Sequence, residues 1–473
     1  MDEIVFRTLA EHRRALDKGE YSSAELLACY LDRIAQIDPQ IGAFLTLNTD
    51  SARELAKLSD LRRKNGERVS ILDGIPFGVK DNLCTRGIRT TCASRMLEHY
   101  VPPYDATVVS QMYAQGGVLL GKLNMDEFGM GSSTEHSALG VTRNPHDQTR
   151  VPGGSSGGPA AAVAAGEVPF ALASDTGGSV RQPAAFCGVL GLKPTYGVLS
   201  RYGLVAFASS LDCVGVMTRS AEDCALVFSA LLGKDSHDAT SIEHGGLGSW
   251  SQIQLSGVRL GVSDTDFGSM EARQTVETVR SKLSQWGMAT AMASLPLPEQ
   301  ALAAYYVISS AEASSNLSRF DGVRFGHRST QAANLTQMYD NSRFEGLGDE
   351  VKRRILFGTY VLSVGNRDAF YLRACYVREK IKREMQKVFE NCDVLLLPTA
   401  PTTAFSFGEK HSPSQMYASD LCTVYANLSG FPALSVPVGK DQHGLPRAVQ
   451  LIAPPMREDL LLRVAKALEE DRK

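Results

Sequence analysis

Two serine–glycine loops are the most informative part of this sequence, PGGSSGG at residues 152–158 and DTGGSVRQP at residues 175–183. A serine hydroxyl is a weak nucleophile until a base removes its proton, and acyl transfer also needs N–H donors for the oxyanion. Glycine meets the second need because a backbone without side chains lets successive N–H groups approach one oxygen. Either loop alone is a weak signal, since such turns are common. The pair indicates a serine-dependent hydrolase if a base accompanies it.

A candidate base precedes both loops. Lys80 closes the apolar run at residues 75–79 and is followed by Asp81 and Asn82. A lysine in water is protonated and cannot act as a base, whereas desolvation lowers its pKa and frees the nitrogen lone pair. On the residues alone, an exposed lysine beside Asp81 is the favoured interpretation, and a buried base is the alternative.

Four segments together resemble a known family, and these are GVKDN at 78–82, GGSSGG at 153–158, DTGGSVRQP at 175–183 and FCGVLGLKPT at 186–195. With the spacing between Ser155 and Ser179, they are similar to the amidase signature family. The resemblance implies an α/β fold in which helices flank both faces of a large mixed central β-sheet.

In that family a lysine, a serine that follows a cis peptide bond and a nucleophilic serine form the catalytic triad. The resemblance implies that Lys80, Ser155 and Ser179 have these roles. It also implies that the backbone of Thr176, Gly177 and Gly178 forms the oxyanion site. Pro159 stands where the family usually has a small residue such as serine. We expect no catalytic consequence, because proline is tolerated in the first turn of a helix.

Three later segments extend the resemblance, and these are EASSNLSRFDGVRFG at 312–326, GLGDEVKRR at 346–354 and PTAPTTAF at 398–405. They look like the glutaminase (A) subunits of tRNA-dependent amidotransferases. This implies that the chain hydrolyses glutamine through a seryl acyl-enzyme and supplies ammonia to a partner subunit. The alternative is a stand-alone amidase that acts on another small amide.

The resemblance implies partner chains as well. In such complexes a B subunit holds most of the aminoacyl-tRNA and uses ATP and Mg²⁺ to convert Glu-tRNA(Gln) or Asp-tRNA(Asn) to the amidated form. A small C subunit ties the other two chains together. For this chain we therefore expect no cofactor and no metal of its own.

A glutaminase must bind the α-carboxylate and the α-ammonium of free glutamine. Arginine suits a carboxylate because its planar fork can pair with both oxygens. The resemblance assigns the carboxylate to Arg354 or Arg353, with the register open by one residue, and the ammonium to Asp420. Tyr305 or Tyr306 is expected to line the pocket. Without the resemblance, a solvated helix face and a loop or capping residue are the simpler interpretations.

The composition agrees with a soluble enzyme that does not itself hold nucleic acid. The 473 residues are 43% hydrophobic and 21% charged, with 49 basic and 52 acidic residues and a net charge of −3. Phosphate binding needs clustered basic residues, and no basic run here is longer than three residues, as at residues 352–354. The nine cysteines include no Cys-x-x-Cys pair, and the N-terminus lacks an apolar signal core. We expect a reducing, cytoplasmic location without membrane attachment.

The chain is expected to begin with a helical segment, residues 1–70, that packs on a single large catalytic domain of residues 71–473. Substrate recognition is assigned to about residues 235–430. A capping box formed by Ser22 and Glu25 predicts a helix that ends before Pro39. From residue 72 onward, short apolar runs alternate with helical segments and glycine loops, which indicates an α/β layer fold with a central sheet. The run at residues 394–398 predicts a late strand that ends at a proline.

Two other motifs are rejected. GGSSG at residues 153–157 fits the G-x-S-x-G nucleophile elbow, but the preceding residues 142–152 are too polar for the strand that an elbow requires. GGVLLGK at residues 116–122 nearly fits a P-loop, but Leu123 replaces the serine or threonine that would hold Mg²⁺. Residues 118–120 are better explained as a core strand.

Overall fold

One eleven-stranded sheet organises the chain, for which a computed structural model describes residues 2–267, 269–296 and 298–471. The strands are β1 (Phe44–Leu47), β2 (Pro76–Lys80), β3 (Val118–Leu123), β4 (Phe170–Asp175), β5 (Leu190–Lys193), β6 (Cys213–Thr218), β7 (Arg259–Ser263), β8 (Ala289–Ala293), β9 (Val394–Pro398), β10 (Ala433–Lys440) and β11 (Pro446–Ile452). Their order across the sheet is β1-β3-β2-β4-β6-β5-β10-β11-β9-β7-β8. Parallel and antiparallel neighbours both occur, so the sheet is mixed.

Helices connect the strands. They are α1 (Asp2–Val5), α2 (Leu9–Lys18), α3 (Ser23–Ile41), α4 (Thr49–Lys64), α5 (Thr107–Ala114), α6 (Gly157–Ala164), α7 (Arg181–Cys187), α8 (Ala221–Ala230), α9 (Met270–Gln285), α10 (Pro298–Asn316), α11 (Leu335–Gly346), α12 (Asp349–Leu362), α13 (Arg373–Asn391), α14 (Pro413–Tyr417), α15 (Val424–Ser429) and α16 (Glu458–Glu470). Within the described residues, no helix combines the length and apolar character needed to cross a membrane.

Both faces of the sheet are covered, as strand β9 illustrates. Val394 and Leu396 belong to one buried apolar cluster, which also contains residues of α8 and α16. Leu395 and Leu397 belong to a second cluster, which contains residues of α10, α13 and α15. Because successive side chains of a strand point to opposite faces, the two clusters lie on the two sides of the sheet. The predicted α/β fold, with a mixed sheet between helices, is confirmed.

Helix α3 begins as the sequence predicts and ends later. The Ser22 side chain accepts from the Glu25 N–H, and the Glu25 side chain accepts from the Ser22 N–H. The helix continues past Pro39 to Ile41 and ends at Gly42, which adopts a left-handed conformation. The predicted end before Pro39 is therefore wrong. Proline removes one N–H donor, and here the last turn still closes through the Gly42 N–H, which donates to the Asp38 carbonyl.

The first 64 residues supply helices and one edge strand of the sheet. Strand β1 pairs antiparallel with β3, and Arg62 in α4 donates to Asp73 just before β2. The predicted division at residue 70 stays a prediction, and its outer limits at residues 1 and 473 lie outside the described residues.

The pairing of β2 with β4 sets the position of the two sequence motifs. These strands are parallel, with Gly78 opposite Ala171 and Val79 opposite Leu172. Parallel neighbours end at the same edge of the sheet, where sites of α/β proteins commonly form. Lys80 at the end of β2 and the loop after Asp175 at the end of β4 therefore meet there.

Candidate active site

Lys80 lies in a closed polar pocket at the end of β2. Its side chain is 0% exposed. The ammonium nitrogen donates to Ser155 Oγ at 2.8 Å, Ser156 Oγ at 2.8 Å and Ser174 Oγ at 3.0 Å. The interpretation of Lys80 as an exposed side chain is excluded.

The partners of Lys80 are arranged so that a neutral amine would keep its lone pair for Ser155. The Ser156 hydroxyl donates to the Ser174 carbonyl, so its oxygen can only accept from Lys80. The Ser174 hydroxyl oxygen accepts from Asn82 as well as from Lys80. A neutral amine has two hydrogens, which satisfy these two oxygens. Its lone pair is then left for the Ser155 hydroxyl.

Burial lowers the pKa of Lys80 to about 7, although the buried carboxylates of Asp126, Asp175 and Asp212 favour the charged form. Desolvation penalises the ammonium ion more than these carboxylates stabilise it. Lys80 can therefore change protonation state near neutral pH, which a proton-transfer residue requires.

The Ser155 loop is fixed by hydrogen bonds to its backbone. The Gly154–Ser155 peptide bond is cis, in agreement with the family resemblance. The Asp126 N–H donates to the Ser155 carbonyl at 3.1 Å. The Gly154 N–H donates to Gln182 Oε1 at 2.9 Å, and Gln182 in turn donates to the Ser132 carbonyl. These contacts leave the Ser155 hydroxyl directed at Lys80.

An ion pair between Asp175 and Arg181 shapes the second loop. Arg181 donates to Asp175 through Nε at 3.0 Å and Nη2 at 2.9 Å, and both side chains are fully buried. The Val180 N–H donates to the same carboxylate. Burial alone would raise the pKa of Asp175, but the Arg181 guanidinium holds it well below its usual range. The loop carrying Ser179 is thus folded around an ionised carboxylate.

The Ser179 side chain is 8% exposed, and its hydroxyl forms no hydrogen bond with any described residue. The structure brings Lys80 and Ser155 into contact. Ser179, the third predicted member of the triad, forms no hydrogen bond with either of them. Hydrogen bonds of catalytic groups are often longer or absent before substrate binds.

The backbone N–H groups of the second loop differ in availability. The Gly178 N–H donates to Asp175 Oδ1 at 2.9 Å, so it is already engaged. The expected role of Gly178 in the oxyanion site stays a prediction, and the sequence does not reveal that the Asp175 side chain turns back onto its own loop. The N–H groups of Gly177 and Ser179 donate to none of the described residues. Thr176 anchors the loop from its other end, where its hydroxyl donates to Asp212 at 2.7 Å.

Asp420, Tyr306 and Arg354 form a second cluster. Tyr306 donates to Asp420 Oδ2 at 2.6 Å, and Ser132 donates to Asp420 Oδ1 at 2.9 Å. The Arg354 guanidinium lies over the Tyr306 ring, 4.9 Å from its centroid. Burial raises the pKa of Asp420 to about 6. The cluster places a carboxylate and a guanidinium on either side of one tyrosine.

The two candidate arginines differ in environment. Arg354 is 3% exposed, whereas the Arg353 side chain is 48% exposed. Arg354 donates through Nε to Glu350 at 2.8 Å, and Tyr417 donates to the same Glu350 oxygen. The terminal nitrogens of Arg354 donate to none of the described residues. Of the two candidates, Arg354 is therefore the buried arginine whose two terminal nitrogens are available to bind a carboxylate.

Thr423 and Tyr305 connect the two clusters. Thr423 donates to the Gly177 carbonyl at 2.5 Å and lies within 3.0 Å of the Asp420 carbonyl. The Tyr305 ring packs so closely on Gly177 that a side chain there would overlap it. The loop that carries Ser179 thus lies directly against the Asp420 cluster.

A surface cavity of about 670 Å³ adjoins the second cluster. Tyr306, Arg353, Arg354 and Tyr417 contribute to its wall, together with apolar residues such as Phe357. Lys80, Ser155 and Ser179 do not line it. Within residues 2–267, 269–296 and 298–471, no group of three or more histidine, cysteine, aspartate or glutamate side chains could hold a metal ion.

Several residues of the site have no signal in the sequence. Ser132, Tyr417 and Thr423 belong to none of the segments that carry the resemblance, and they contact the site only through the fold. Asp126 belongs to none of the segments that resemble the family. An alignment of relatives is the kind of signal that would have found them.

The fold and this arrangement of lysine and serines define an amidase. The family model "Amidase" matches residues 25–462, and the chain belongs to that family.

Among curated relatives, the chain is similar to proteins named as the A subunit of glutamyl-tRNA(Gln) amidotransferase. The one from Symbiobacterium thermophilum is 52% identical over 96% of this chain and 94% of the relative. The one from Moorella thermoacetica is 51% identical over 99% of this chain and 97% of the relative.

Solved structures show the same likeness. The A subunit of glutamyl-tRNA(Gln) amidotransferase from Thermotoga maritima has a TM-score of 0.83 and 39% identity, covering 99% of this chain and 95% of that one. The peptide amidase from Stenotrophomonas maltophilia has a TM-score of 0.85 and 29% identity, covering 98% and 96%.

Proposed function

We propose that this chain is the glutaminase subunit of a tRNA-dependent amidotransferase, which releases ammonia from glutamine for the amidation of Glu-tRNA(Gln) or Asp-tRNA(Asn). The observation that carries the proposal is the free fork of Arg354 beside Asp420, next to the Ser179 loop. A free amino acid presents one carboxylate and one ammonium, and this pair of side chains complements both charges. Identity of about half over nearly the full length to proteins of that name supports the same conclusion.

Acylation begins at Lys80. In its neutral form Lys80 accepts the Ser155 proton while the Ser155 oxygen accepts the proton of Ser179. Ser179 Oγ then attacks the δ-carbonyl carbon of glutamine, and the carbonyl becomes an oxyanion. The 2.8 Å contact between Lys80 and Ser155 supports this order of transfer.

The oxyanion is assigned to backbone N–H groups of residues 176–179. Gly177 and Ser179 have N–H groups without an acceptor among the described residues, while that of Gly178 is directed at Asp175. Losing one such donor typically costs about 3–4 kcal/mol of transition-state stabilisation. Thr176 and Gly178 then support the geometry of this turn from either side.

Breakdown of the intermediate reverses the proton path. The proton on Lys80 passes through Ser155 to the leaving nitrogen, the C–N bond breaks, and ammonia departs from a glutamyl ester on Ser179. Water attacks the ester and gives its proton to Ser155 and Lys80. Ser179 recovers its proton as glutamate leaves, so one water is consumed for each ammonia and glutamate formed.

Glutamine recognition is assigned to the second cluster. Arg354 pairs with the α-carboxylate, Asp420 accepts from the α-ammonium, and Tyr305 and Tyr306 form the wall between them. Two parallel N–H···O bonds to a carboxylate fix its orientation as well as its position. Arg353 lies at the outer surface and pairs with Glu350.

Amidation of the tRNA-bound amino acid is assigned to partner chains. We attribute ATP and Mg²⁺ use, and most of the contact with aminoacyl-tRNA, to a B subunit, while a C subunit attaches the two chains to each other. The net charge of −3 supports placing the tRNA on another chain. The complex is expected in the cytoplasm.

Glutamate release from glutamine by the complex with B and C subunits tests this proposal. Wild type should hydrolyse glutamine, and Ser179→Ala should reduce kcat by at least about 10³-fold. Ser59→Ala is the matched control because it removes another buried serine hydroxyl, in α4, that forms no hydrogen bond with a described residue. Asparagine and a hydrophobic amide are run in parallel.

The outcomes separate the alternatives. Glutamine hydrolysis that is lost in Ser179→Ala and kept in Ser59→Ala supports the nucleophile and the substrate together. Full activity in Ser179→Ala contradicts the mechanism. Activity on the hydrophobic amide but not on glutamine would make the chain a stand-alone amidase that uses the same triad.

A further inference from the structure

Glu127 lies between the loop that carries Ser155 and helix α12, which carries Arg354. Its carboxylate is buried in the turn Glu127–Gly129. It accepts from the Ser94 hydroxyl at 2.5 Å and from the Gly348 N–H at 2.8 Å. Among the described residues, its carboxylate forms no hydrogen bond with either serine loop.

The contact at Gly348 determines where α12 begins. Gly348 is the N-cap of α12, and it has no side chain with which to cap the helix. A carboxylate is favourable at this end, because the unpaired N–H groups and the helix dipole attract negative charge. A Cβ atom at Gly348 would overlap the Glu127 carboxylate, so the two residues are packed in direct contact. Glu350 and Arg354 lie in the first two turns that follow.

Ser94 holds the preceding turn in the same way. Its hydroxyl group donates to Glu127, and the hydroxyl oxygen lies 3.1 Å from the Gly346 carbonyl oxygen. The pair Ser94 and Glu127 therefore contacts the chain on both sides of Leu347, where α11 passes to α12.

On its other side, Glu127 is joined to the triad through one peptide unit. The neighbouring Asp126 donates its N–H to the Ser155 carbonyl, and its carboxylate accepts from the Thr134 N–H at 2.9 Å. Residues 126 and 127 thus fix the Ser155 loop and the start of α12 relative to each other.

We propose that Glu127 is a positioning residue that sets the separation between the Ser155–Ser179 centre and Arg354, and thereby selects amides with an α-carboxylate at the distance found in glutamine. This inference rests on the proposed function. The carboxylate of the substrate and its scissile amide are joined by a short chain, so a shift of α12 would move one of them out of place. A misplacement of about 1 Å can cost about 100-fold in rate.

The test compares glutamine with 4-aminobutanamide, which is glutamine without its α-carboxylate. Both are assayed in the full complex with wild type and Glu127→Gln, and the ratio of their kcat/KM values is determined. The substitution keeps the size of the side chain but places a neutral amide at the start of α12. We expect the ratio to fall roughly tenfold, chiefly through KM for glutamine, with kcat/KM for 4-aminobutanamide unchanged within about twofold.

Ser94→Ala is the second variant, since it removes one partner of Glu127 and leaves the Gly348 contact in place. It should shift the ratio in the same direction by a smaller factor, and it decides the matter if Glu127→Gln does not fold. An unchanged ratio, or an equal loss on both substrates, overturns the positioning role. Failure of the wild type to hydrolyse glutamine would instead refute the proposed function.

Discussion

Lys80 Nζ lies 2.8 Å from Ser155 Oγ, and neither side chain is reached appreciably by solvent. A lysine in this position is held by three serines and has no carboxylate among its hydrogen-bond partners. Its charged form is therefore disfavoured by burial without a directly bonded counter-ion. The same contact gives the amine a hydroxyl from which it can accept a proton once it is neutral.

Replacing Lys80 by methionine should lower kcat for glutamine hydrolysis by about 10³-fold or more, because both proton transfers depend on its lone pair. Stopped assays of glutamate release measure this. Lys122→Met is the control, since Lys122 is also fully buried but bonds the Leu83 carbonyl and Thr90 and pairs with Asp81 at 3.5 Å. Per folded molecule the control should keep wild-type activity. Comparable losses in both variants would mean that burial of a lysine, and not this particular amine, is what matters.

The pH dependence of kcat/KM should show two ionisations on its acid side. Lys80, with a pKa of about 7, must be neutral to act as a base, so activity falls about tenfold per pH unit below 7. Asp420, with a pKa of about 6, must be ionised to bind an ammonium, so the slope doubles below 6. Asp420→Asn should remove the ionisation near 6 and leave the fall in activity that begins near 7. A wild-type profile that stays flat well below the pKa of Asp420 contradicts both assignments.

Arg354→Lys should reduce kcat/KM for glutamine by about 10- to 100-fold, the usual value of a charge-assisted hydrogen bond. Lysine keeps the charge but loses the planar fork, so the loss should appear mainly in KM. Arg353→Lys should change kcat/KM by less than about twofold, because Arg353 is half-exposed. Equal effects at the two positions would contradict the assignment of the carboxylate to Arg354.

Arg181→Met should destabilise the protein by about 3–5 kcal/mol, because it leaves the buried Asp175 carboxylate without its partner. The free energy of unfolding in urea measures this loss. Asp175→Asn combined with Arg181→Met should recover part of it, since the uncompensated charge is then gone. A double variant that is no more stable than the single one would show that the charge is not the cause.

The sequence is most informative where short motifs identify the residues and their positions at strand ends. The motifs around Lys80, Ser155 and Ser179 predict the contact of the first two, because each lies at the end of a strand or in a loop at the same edge of the sheet. Strand β9 has the predicted bounds, since four consecutive large apolar residues can be buried only in the interior of the sheet. Alternating apolar runs are sufficient to predict the fold class.

Other features depend on contacts that no local pattern encodes. Burial of Arg354 instead of Arg353 depends on how α12 is rotated against Tyr306 and Tyr417. The Gly178 N–H is taken by Asp175 because Arg181 draws that carboxylate into the turn. Packing between segments that are far apart along the chain therefore decides which of the two arginines is buried.

The order of strands also bears on when the enzyme can become active during its synthesis. Strands β10 and β11 lie between β5 and β9, so the hairpin of residues 433–452 joins the sheet made by the first six strands to the sheet made by the next three. A nascent chain leaves the ribosome from its N-terminus, and its early segments begin to fold first. Lys80 and both serines emerge long before this hairpin does. Truncated chains would thus carry Lys80 and both serines without a completed sheet to hold the Asp420 cluster against them.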